Sequence, residues 1–326
     1  MASGEPSVSE EPITFIVNRT QGDQISRLLA QGAAALVLMI MGLIGLFLFL
    51  DARKALKLAG FRFLTLETWQ PDSSFHVFGV KGVLVGTVLV AAIALVVALP
   101  LAIACSLAIN EYAPLRLRRP LTTLIDLLAA LPSLIYGLWG KFFLQPRLNG
   151  VARFLTDHAN FVPLFRTDPG TKFGFSMSIA GLVVALMVLP IATSVGREVM
   201  GQVPRDQCEA AYALGGTRWA TVRDVILPFG RNGVVGGAML GLGRALGETI
   251  AVAIILSADH KVNFRILQPG GGTVAELIAN TFGNAQEIGR SALTAAGLAL
   301  FILTLIVNAI ARFVVNRTTR QGGRDL

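Results

Sequence analysis

Arg244 and Glu248 lie four residues apart in an otherwise apolar, glycine-rich stretch from Gly233 to Leu256. A charge near the centre of a bilayer costs about 2.5–3.5 kcal/mol on insertion scales, so such residues rarely persist without a partner and a use. In a helix, side chains four residues apart can face each other. A guanidinium also offers planar, paired donors to an oxyanion. The residues alone favour equally an oxyanion path and an ion pair that locks two helices.

Three glycines, Gly233, Gly237 and Gly241, precede this charged pair at intervals of four residues. At about 100° per residue, the glycines and the charged pair fall within a helical stripe about 80° wide. Small residues at this spacing let a second helix approach closely. The pair is therefore expected to face a neighbouring helix or a partner subunit, and not lipid.

Composition is typical of a polytopic membrane protein. Of 326 residues, 53% are apolar and 15% are charged, whereas soluble domains carry about 25% charged residues. The net charge of +8 is interpreted as loop charge that sets topology. Nucleic acid is not an expected partner, because the sequence shows no basic patch with interleaved aromatic residues. Cys105 and Cys208 lack metal-ligand spacing and are expected to pack.

The hydropathy pattern predicts an all-α membrane protein with six transmembrane helices. Each span needs about 20 apolar residues, and six stretches qualify. They are about Leu28–Leu50, Gly82–Ile109, Leu121–Gly140, Phe173–Gly196, Phe229–Leu256 and Ser291–Ala311. Internal prolines are expected to bend three of them, at Pro100, Pro132 and Pro190. Asp126 is expected near the start of the third span, where a carboxylate suits the helix dipole.

An even number of spans places both termini on one side of the membrane. Lys and Arg are nearly balanced between the two sides, but those on the side of the termini lie in shorter segments close to span ends, which favours the cytoplasm for that side. Residues 1–27 and 316–326 are thus predicted to be cytoplasmic tails around one transmembrane domain, 28–315.

The connection between the fourth and fifth spans, residues 203–228, is predicted to form two short helices around a glycine corner. It contains Glu209-Ala210-Ala211, then Gly215 after three residues, then Val225 and Leu227-Pro228. This spacing resembles the signature of ABC-transporter permeases, with Val225 where isoleucine is usual. The resemblance implies a cytoplasmic coupling helix in which Glu209, Ala210, Ala211 and Gly215 dock into a cleft of a separate ATPase subunit.

Two further runs resemble phosphate permeases of the PstC type. These are Leu131-Pro132-Ser133-Leu134-Ile135-Tyr136-Gly137-Leu138-Trp139-Gly140 and Gly243-Arg244-Ala245-Leu246-Gly247-Glu248-Thr249-Ile250-Ala251. The resemblance covers roughly residues 80–260, within a type I ABC importer core of about 80–312. It implies a multi-pass permease of the bacterial plasma (inner) membrane that imports inorganic phosphate. The implied partners are a PstA-type permease, a PstB-type ATPase dimer and a PstS-type phosphate-binding protein, besides membrane lipid.

With this resemblance, Arg244, Glu248, Ser133 and Tyr136 are predicted to line the substrate path. Tyr136 is also placed as an interfacial anchor would be. The chain has no Walker A motif, so it is expected to be no enzyme and to hold no cofactor, with ATP and Mg in the partner ATPase. Two alternatives stay open, a permease for sulfate or molybdate and a membrane scaffold that signals phosphate status.

Overall fold

The protein is described from a computed structural model, which places residues 21–168, 170–171, 173–257 and 259–322. These residues fold mostly into helices, so the predicted all-α class is confirmed. Residues 1–20 and 323–326, which belong to the predicted tails, lie outside the described residues. The chain divides into two compact units, residues 1–47 and 48–326.

In the first half of the chain, the described residues carry six α-helices and one small hairpin. In order, the elements are α1 (Gln21–Ala59), α2 (Arg62–Thr65), β1 (Trp69–Gln70), β2 (Val77–Phe78), α3 (Lys81–Leu107), α4 (Leu115–Ala130), α5 (Ser133–Trp139) and α6 (Gln145–His158). The two strands pair antiparallel, Trp69 with Phe78 and Gln70 with Val77. Single π-helical turns extend α3 over Ala108–Tyr112 and join α5 to α6 over Gly140–Leu144.

In the second half, seven α-helices occur within the described ranges. They are α7 (Met177–Met200), α8 (Arg205–Ala213), α9 (Arg218–Thr221), α10 (Leu227–Gly247), α11 (Ile250–Ile255), α12 (Val274–Thr281) and α13 (Glu287–Gly322). A π-helical turn over Val222–Ile226 joins α9 to α10, and short 3₁₀ turns cover Pro163–Phe165 and Phe282–Asn284.

Four helices in the described residues are long and apolar enough to cross a membrane, namely 24–59, 81–112, 177–200 and 287–313. Two bent helix pairs also pass the test, 115–158 with a bend of 92° and 218–247 with a bend of 54°. The six predicted spans are therefore consistent with this fold if each bent pair counts as one span. In the first unit, the described side chains of α1 up to Phe47 are exposed or half-buried, as lipid-facing side chains are.

The core of the second unit is centred on α7, which packs against α3 and α10. Its contact with α10 runs along the predicted glycine stripe. A Cβ atom on Gly241 would collide with Cγ1 of Val188, and one on Gly237 would lie 3.3 Å from Cβ of Val195. The close helix approach predicted from the stripe is confirmed, and the neighbour is α7 of the same chain.

The third predicted span is not one continuous helix. Its first part ends at Ala130, and Leu131 is extended, with φ −65° and ψ 135°. The physical reason is Pro132, whose ring disfavours helical backbone in the preceding residue. After the break, α5 packs against α11 so closely that a Cβ atom on Gly137 would lie 2.8 Å from Cα of Ala251.

Asp126 does not lie near the start of its helix, so the prediction made from the helix dipole is wrong. Because α4 begins at Leu115, the carboxylate falls in the last third of the helix. There it accepts a 3.2 Å hydrogen bond from Oγ of Ser194 on α7. Hydropathy alone placed the helix start too late, since the basic first turns of α4 are not apolar.

A second cluster of buried residues joins the end of α1, the hairpin, α3, α12 and the start of α13. Glu276 of α12 lies in this region with 2% of its surface exposed. One carboxylate oxygen, Oε2, accepts from the backbone N–H of Thr273, which completes a capping box. The other oxygen has no hydrogen-bond partner among the described residues. Burial raises the pKa of Glu276 from 4.5 to about 7.

The buried carboxyl predicts a pH-dependent effect of Glu276→Gln on stability. The pKa of Glu276 is higher in the folded state than in the unfolded state. Ionisation of the carboxyl therefore destabilises the fold. Full stability is present below pH 4.5 and is lost as the pH rises through about 7. Glutamine keeps the capping box without the charge. The variant should gain apparent unfolding temperature over the natural chain above pH 7, and the gain should vanish towards pH 4.5. Asp157→Asn on exposed α6 is the control, and a gain independent of pH would contradict the assignment.

The α7–α10 contact predicts opposite outcomes for two neighbouring glycines of α10. Gly241→Ala places a methyl group against buried Val188, which should cost about 1–3 kcal/mol. No atom of the described residues would touch a Cβ on Gly243, so Gly243→Ala should be neutral or stabilising by up to about 1 kcal/mol. Thermal unfolding of the two variants in detergent compares them directly. Equal unfolding temperatures would exclude tight packing of Gly241 against Val188.

Candidate functional site

The fifth predicted span breaks at Glu248. Helix α10 ends at Gly247, and Glu248 follows in an extended conformation, with φ −68° and ψ 126°. Helix α11 then starts at Ile250. The prediction that Arg244 and Glu248 share one helical face is therefore wrong, because the helix stops between them.

Glu248 is 8% exposed and turns towards the helix that follows it. Its Oε1 accepts a 3.2 Å hydrogen bond from the backbone N–H of Ala251 in the first turn of α11. This bond satisfies one of the backbone donors that a new helix start leaves open. The carboxylate thus supports the break, and it stands near the positive end of a helix, where a negative charge is favourable.

Arg244 lies in the last turn of α10 and is half-buried. Its Nε atom is buried and has no hydrogen-bond partner among the described residues. None of the ion pairs among the described residues joins Arg244 to Glu248. The guanidinium therefore keeps an unused Nε donor and forms no ion pair with a described carboxylate, while the helix C-terminus favours a cation at this position.

Tyr136 on α5 lies within electrostatic range of Arg244. The Tyr136 side chain is 9% exposed, and its hydroxyl group interacts electrostatically with the Arg244 charge. The same hydroxyl donates a 2.8 Å hydrogen bond to the carbonyl of Leu128, across the break between α4 and α5. Its packing against this break, inside the core, differs from the interfacial position of an anchor.

Ser133 is the first residue of α5 and is half-buried. No hydrogen bond of the described residues joins it to Arg244 or Glu248. Sequence reasoning missed the Leu128 carbonyl, which receives the Tyr136 hydroxyl. The only sequence signal for this contact is the Leu131-Pro132 pair. It predicts a helix end, and a helix end leaves its last carbonyls without intrahelical donors.

The connection from α7 to α10 forms a compact projection that contains α8 and α9. Gly215 has φ +82°, a backbone conformation that favours glycine, and the adjacent Gly216 N–H donates to the carbonyl of Ala211 at 3.0 Å. The Thr217 hydroxyl caps α9 by accepting from the N–H of Ala220. The predicted glycine corner between two short helices is therefore present.

The tip of this projection is exposed, while its base is buried. Glu209 and Ala210 are exposed, Ala211 is half-buried, and Leu214 is 90% exposed. At the base, a small apolar cluster anchors the projection to α3 and α7, and it consists of Leu107, Met200, Val222 and Ile226. An exposed tip on a packed base is suited to contact with another protein.

Comparison with known proteins identifies the family. Residues 98–320 match the family described as "Binding-protein-dependent transport system inner membrane component". The chain is 41% identical to the "Phosphate transport system permease protein PstC" of Xylella fastidiosa, over 93% of each chain. It is also 41% identical to "Phosphate transport system permease protein PstC 2" of Mycobacterium tuberculosis, over 90% of this chain and 92% of that protein.

The fold has solved relatives among ABC transporters. The structure of a bacterial alginate ABC transporter in complex with a pentasaccharide-bound periplasmic protein aligns with a TM-score of 0.59 and 18% identity, covering 92% of this chain and 98% of the other. At this identity the likeness concerns the fold alone. The family match and the sequence relatives show that the chain belongs to the inner-membrane components of binding-protein-dependent transport systems, within the permeases of the PstC type.

Proposed function

We propose that this chain is the membrane-spanning permease subunit of an ATP-driven importer of inorganic phosphate, and that it forms the substrate path with a second permease. The observation that carries the proposal is the half-buried Arg244, whose Nε has no partner in the described residues. Such a charge inside an apolar span calls for a ligand or a partner. The names of the sequence relatives supply phosphate as that ligand.

In this proposal, Arg244 binds the phosphate oxygens as phosphate loses water in the path. A guanidinium can hold two oxygens at once, which suits a tetrahedral oxyanion. Tyr136 lies within electrostatic range of this charge, and Ser133 is the first residue of the same short helix, one turn before Tyr136. Glu248 holds the start of α11 through Ala251. This role explains why an acid occurs in an anion path, since its charge is directed at backbone donors.

The projection is proposed to couple the path to a separate ATPase. Its exposed residues Glu209 and Ala210, with Ala211 and the Gly215 corner behind them, form the docking surface. ATP and Mg are bound by that ATPase, and closure of its dimer moves the projections. The bent spans then switch the path between outward-open and inward-open states.

The proposed complex contains this chain, a PstA-type permease, a PstB-type ATPase dimer and a PstS-type phosphate-binding protein in the bacterial plasma membrane. Both termini and the projection face the cytoplasm. The connections that follow α6 and α11 then lie on the outer side, where the binding protein arrives.

Two other functions are separable by experiment. A permease for sulfate or molybdate would show competition by those anions in uptake assays, and the phosphate permease names of the relatives argue against it. A signalling scaffold would alter phosphate-responsive expression while leaving uptake intact when the projection is disrupted.

Loss of the guanidinium should abolish most transport. Arg244→Gln removes the charge and the paired donors, and charge-assisted hydrogen bonds contribute about 1.5–3 kcal/mol each, so phosphate uptake by reconstituted vesicles should fall at least tenfold. Arg244→Lys should restore it only in part, because an ammonium is a point charge. Arg153→Gln on exposed α6 is the control. Normal uptake by assembled Arg244→Gln complexes would reject the role of Arg244.

Charge reversal on the projection should uncouple ATP hydrolysis from transport. Glu209→Lys changes the exposed tip without touching the buried base, so the complex should still fold while transport per ATP hydrolysed drops severalfold. Glu198→Lys, exposed near the end of α7, is the matched control on the same side of the membrane. If both variants keep the natural ratio of phosphate moved to ATP consumed, the projection is not the docking surface.

A further inference from the structure

A polar cavity of about 450 Å³, whose lining does not include Arg244, lies between the connection that follows α6 and the connection that follows α11. Six residues line it, and nearly all are polar. They are Asn160, Phe161, Arg166, Thr167, Asp168 and Arg265. Water occupies about 30 Å³ per molecule in the liquid, so the cavity has room for a partly hydrated oxyanion.

Backbone hydrogen bonds hold the two connections together beneath this cavity. The N–H of Ile266 donates to the carbonyl of Leu164, and the N–H of Ser178 donates to the carbonyl of Ile266, both at 3.0 Å. Ser176 and Pro269 form an antiparallel bridge close by. The side chains that line the cavity therefore stand on a joined, two-segment base.

Arg265 is held in place by a small polar network. Its Nη1 donates to Oδ1 of Asp168 at 2.6 Å and to Oε1 of Gln268 at 3.2 Å, and Nε2 of Gln268 donates to the other Asp168 oxygen at 2.7 Å. The hydrogen bond from Arg265 lowers the pKa of Asp168, so this carboxylate is ionised and the network is intact at neutral pH. Its oxygens are already engaged, which limits their repulsion of an anion.

The second guanidinium is much less engaged. Arg166 donates from Nε to the carbonyl of Asn160 at 3.2 Å, and its Nη atoms have no partner in the part of the chain that the structure describes. With one carboxylate against two guanidinium groups, the lining is net positive. It offers the paired, planar donors that suit phosphate, with the hydroxyl of Thr167 as a further donor.

We propose that this cavity, with Arg166 and Arg265 as its anion-binding groups, is a second phosphate site that holds substrate at the outer entrance before it reaches Arg244. The inference rests on the proposed function for its substrate and for its placement outside the membrane. The site keeps phosphate near the path after the binding protein releases it. Asp168 is a positioning residue that orients Arg265.

The test uses the assembled complex in detergent, without the binding protein and without ATP, and inorganic phosphate as the probe. Phosphorus NMR reports binding as concentration-dependent broadening of the phosphate line. In the Arg244→Gln background, broadening should remain, because the outer site is intact. Adding Arg166→Gln and Arg265→Gln should weaken the apparent affinity about tenfold or more. Adding Arg153→Gln, which changes an exposed arginine outside the cavity, should change nothing.

Arg166→Gln alone provides a milder variant, since it leaves the network of Arg265 and Asp168 in place, and it should weaken binding with an unchanged unfolding temperature. Undiminished broadening in the variants that lack both arginines would overturn the proposal. A second result would also overturn it. If the variants that lack both arginines bind phosphate normally but need more binding protein for half-maximal ATP hydrolysis, the cavity region docks the binding protein and does not bind phosphate. If Arg244→Gln alone leaves uptake normal, the proposed function fails while the broadening result still stands.

Discussion

Every backbone polar group inside a bilayer needs a partner within the protein, and this constraint governs the centre of the molecule. Two apolar stretches that hydropathy predicts as spans are interrupted, at Leu131-Pro132 and at Glu248. Each break exposes helix-end groups, and one side chain serves each break. The Tyr136 hydroxyl reaches the Leu128 carbonyl, and the Glu248 carboxylate reaches the Ala251 N–H. The breaks can persist because open groups at each of them are satisfied locally.

The same arrangement separates the two charges of the fifth predicted span. If Glu248 continued the helix of Arg244, the two side chains would sit four residues apart and could neutralise each other. Because of the break, the Glu248 carboxylate is directed at the first turn of α11. The Arg244 guanidinium stays at the end of α10, where the helix dipole favours a cation. A structural ion pair would look different, because its charges would be mutually satisfied. The Nε of Arg244 instead has no partner among the described residues, which is the observation on which the proposed binding role rests.

Sequence patterns predicted the helical class, the apolar stretches, the glycine stripe facing a neighbour and the glycine corner at Gly215. They failed where local backbone chemistry overrides hydropathy. Pro132 was expected to bend a span, but its effect on Leu131 and the 92° bend show a break. The hydropathy pattern does not predict the start of α4 at Leu115, because the first turns of this helix are rich in arginine. The capping of α11 by Glu248 cannot be predicted from the sequence, since residue spacing does not show that a helix ends between two charges.

The two broken spans and the cavity lined by Arg166 and Arg265 belong to the same pair of chain segments. One segment runs from α5 through α6 to its following connection, and the other runs from α11 to the connection after it. They touch near the breaks, where Gly137 meets Ala251, and again at the cavity, where Arg265 meets Asp168. Two contacts along one pair of segments restrict their relative rotation more than either contact alone. The same two segments therefore contact each other both at the breaks and at the polar cavity.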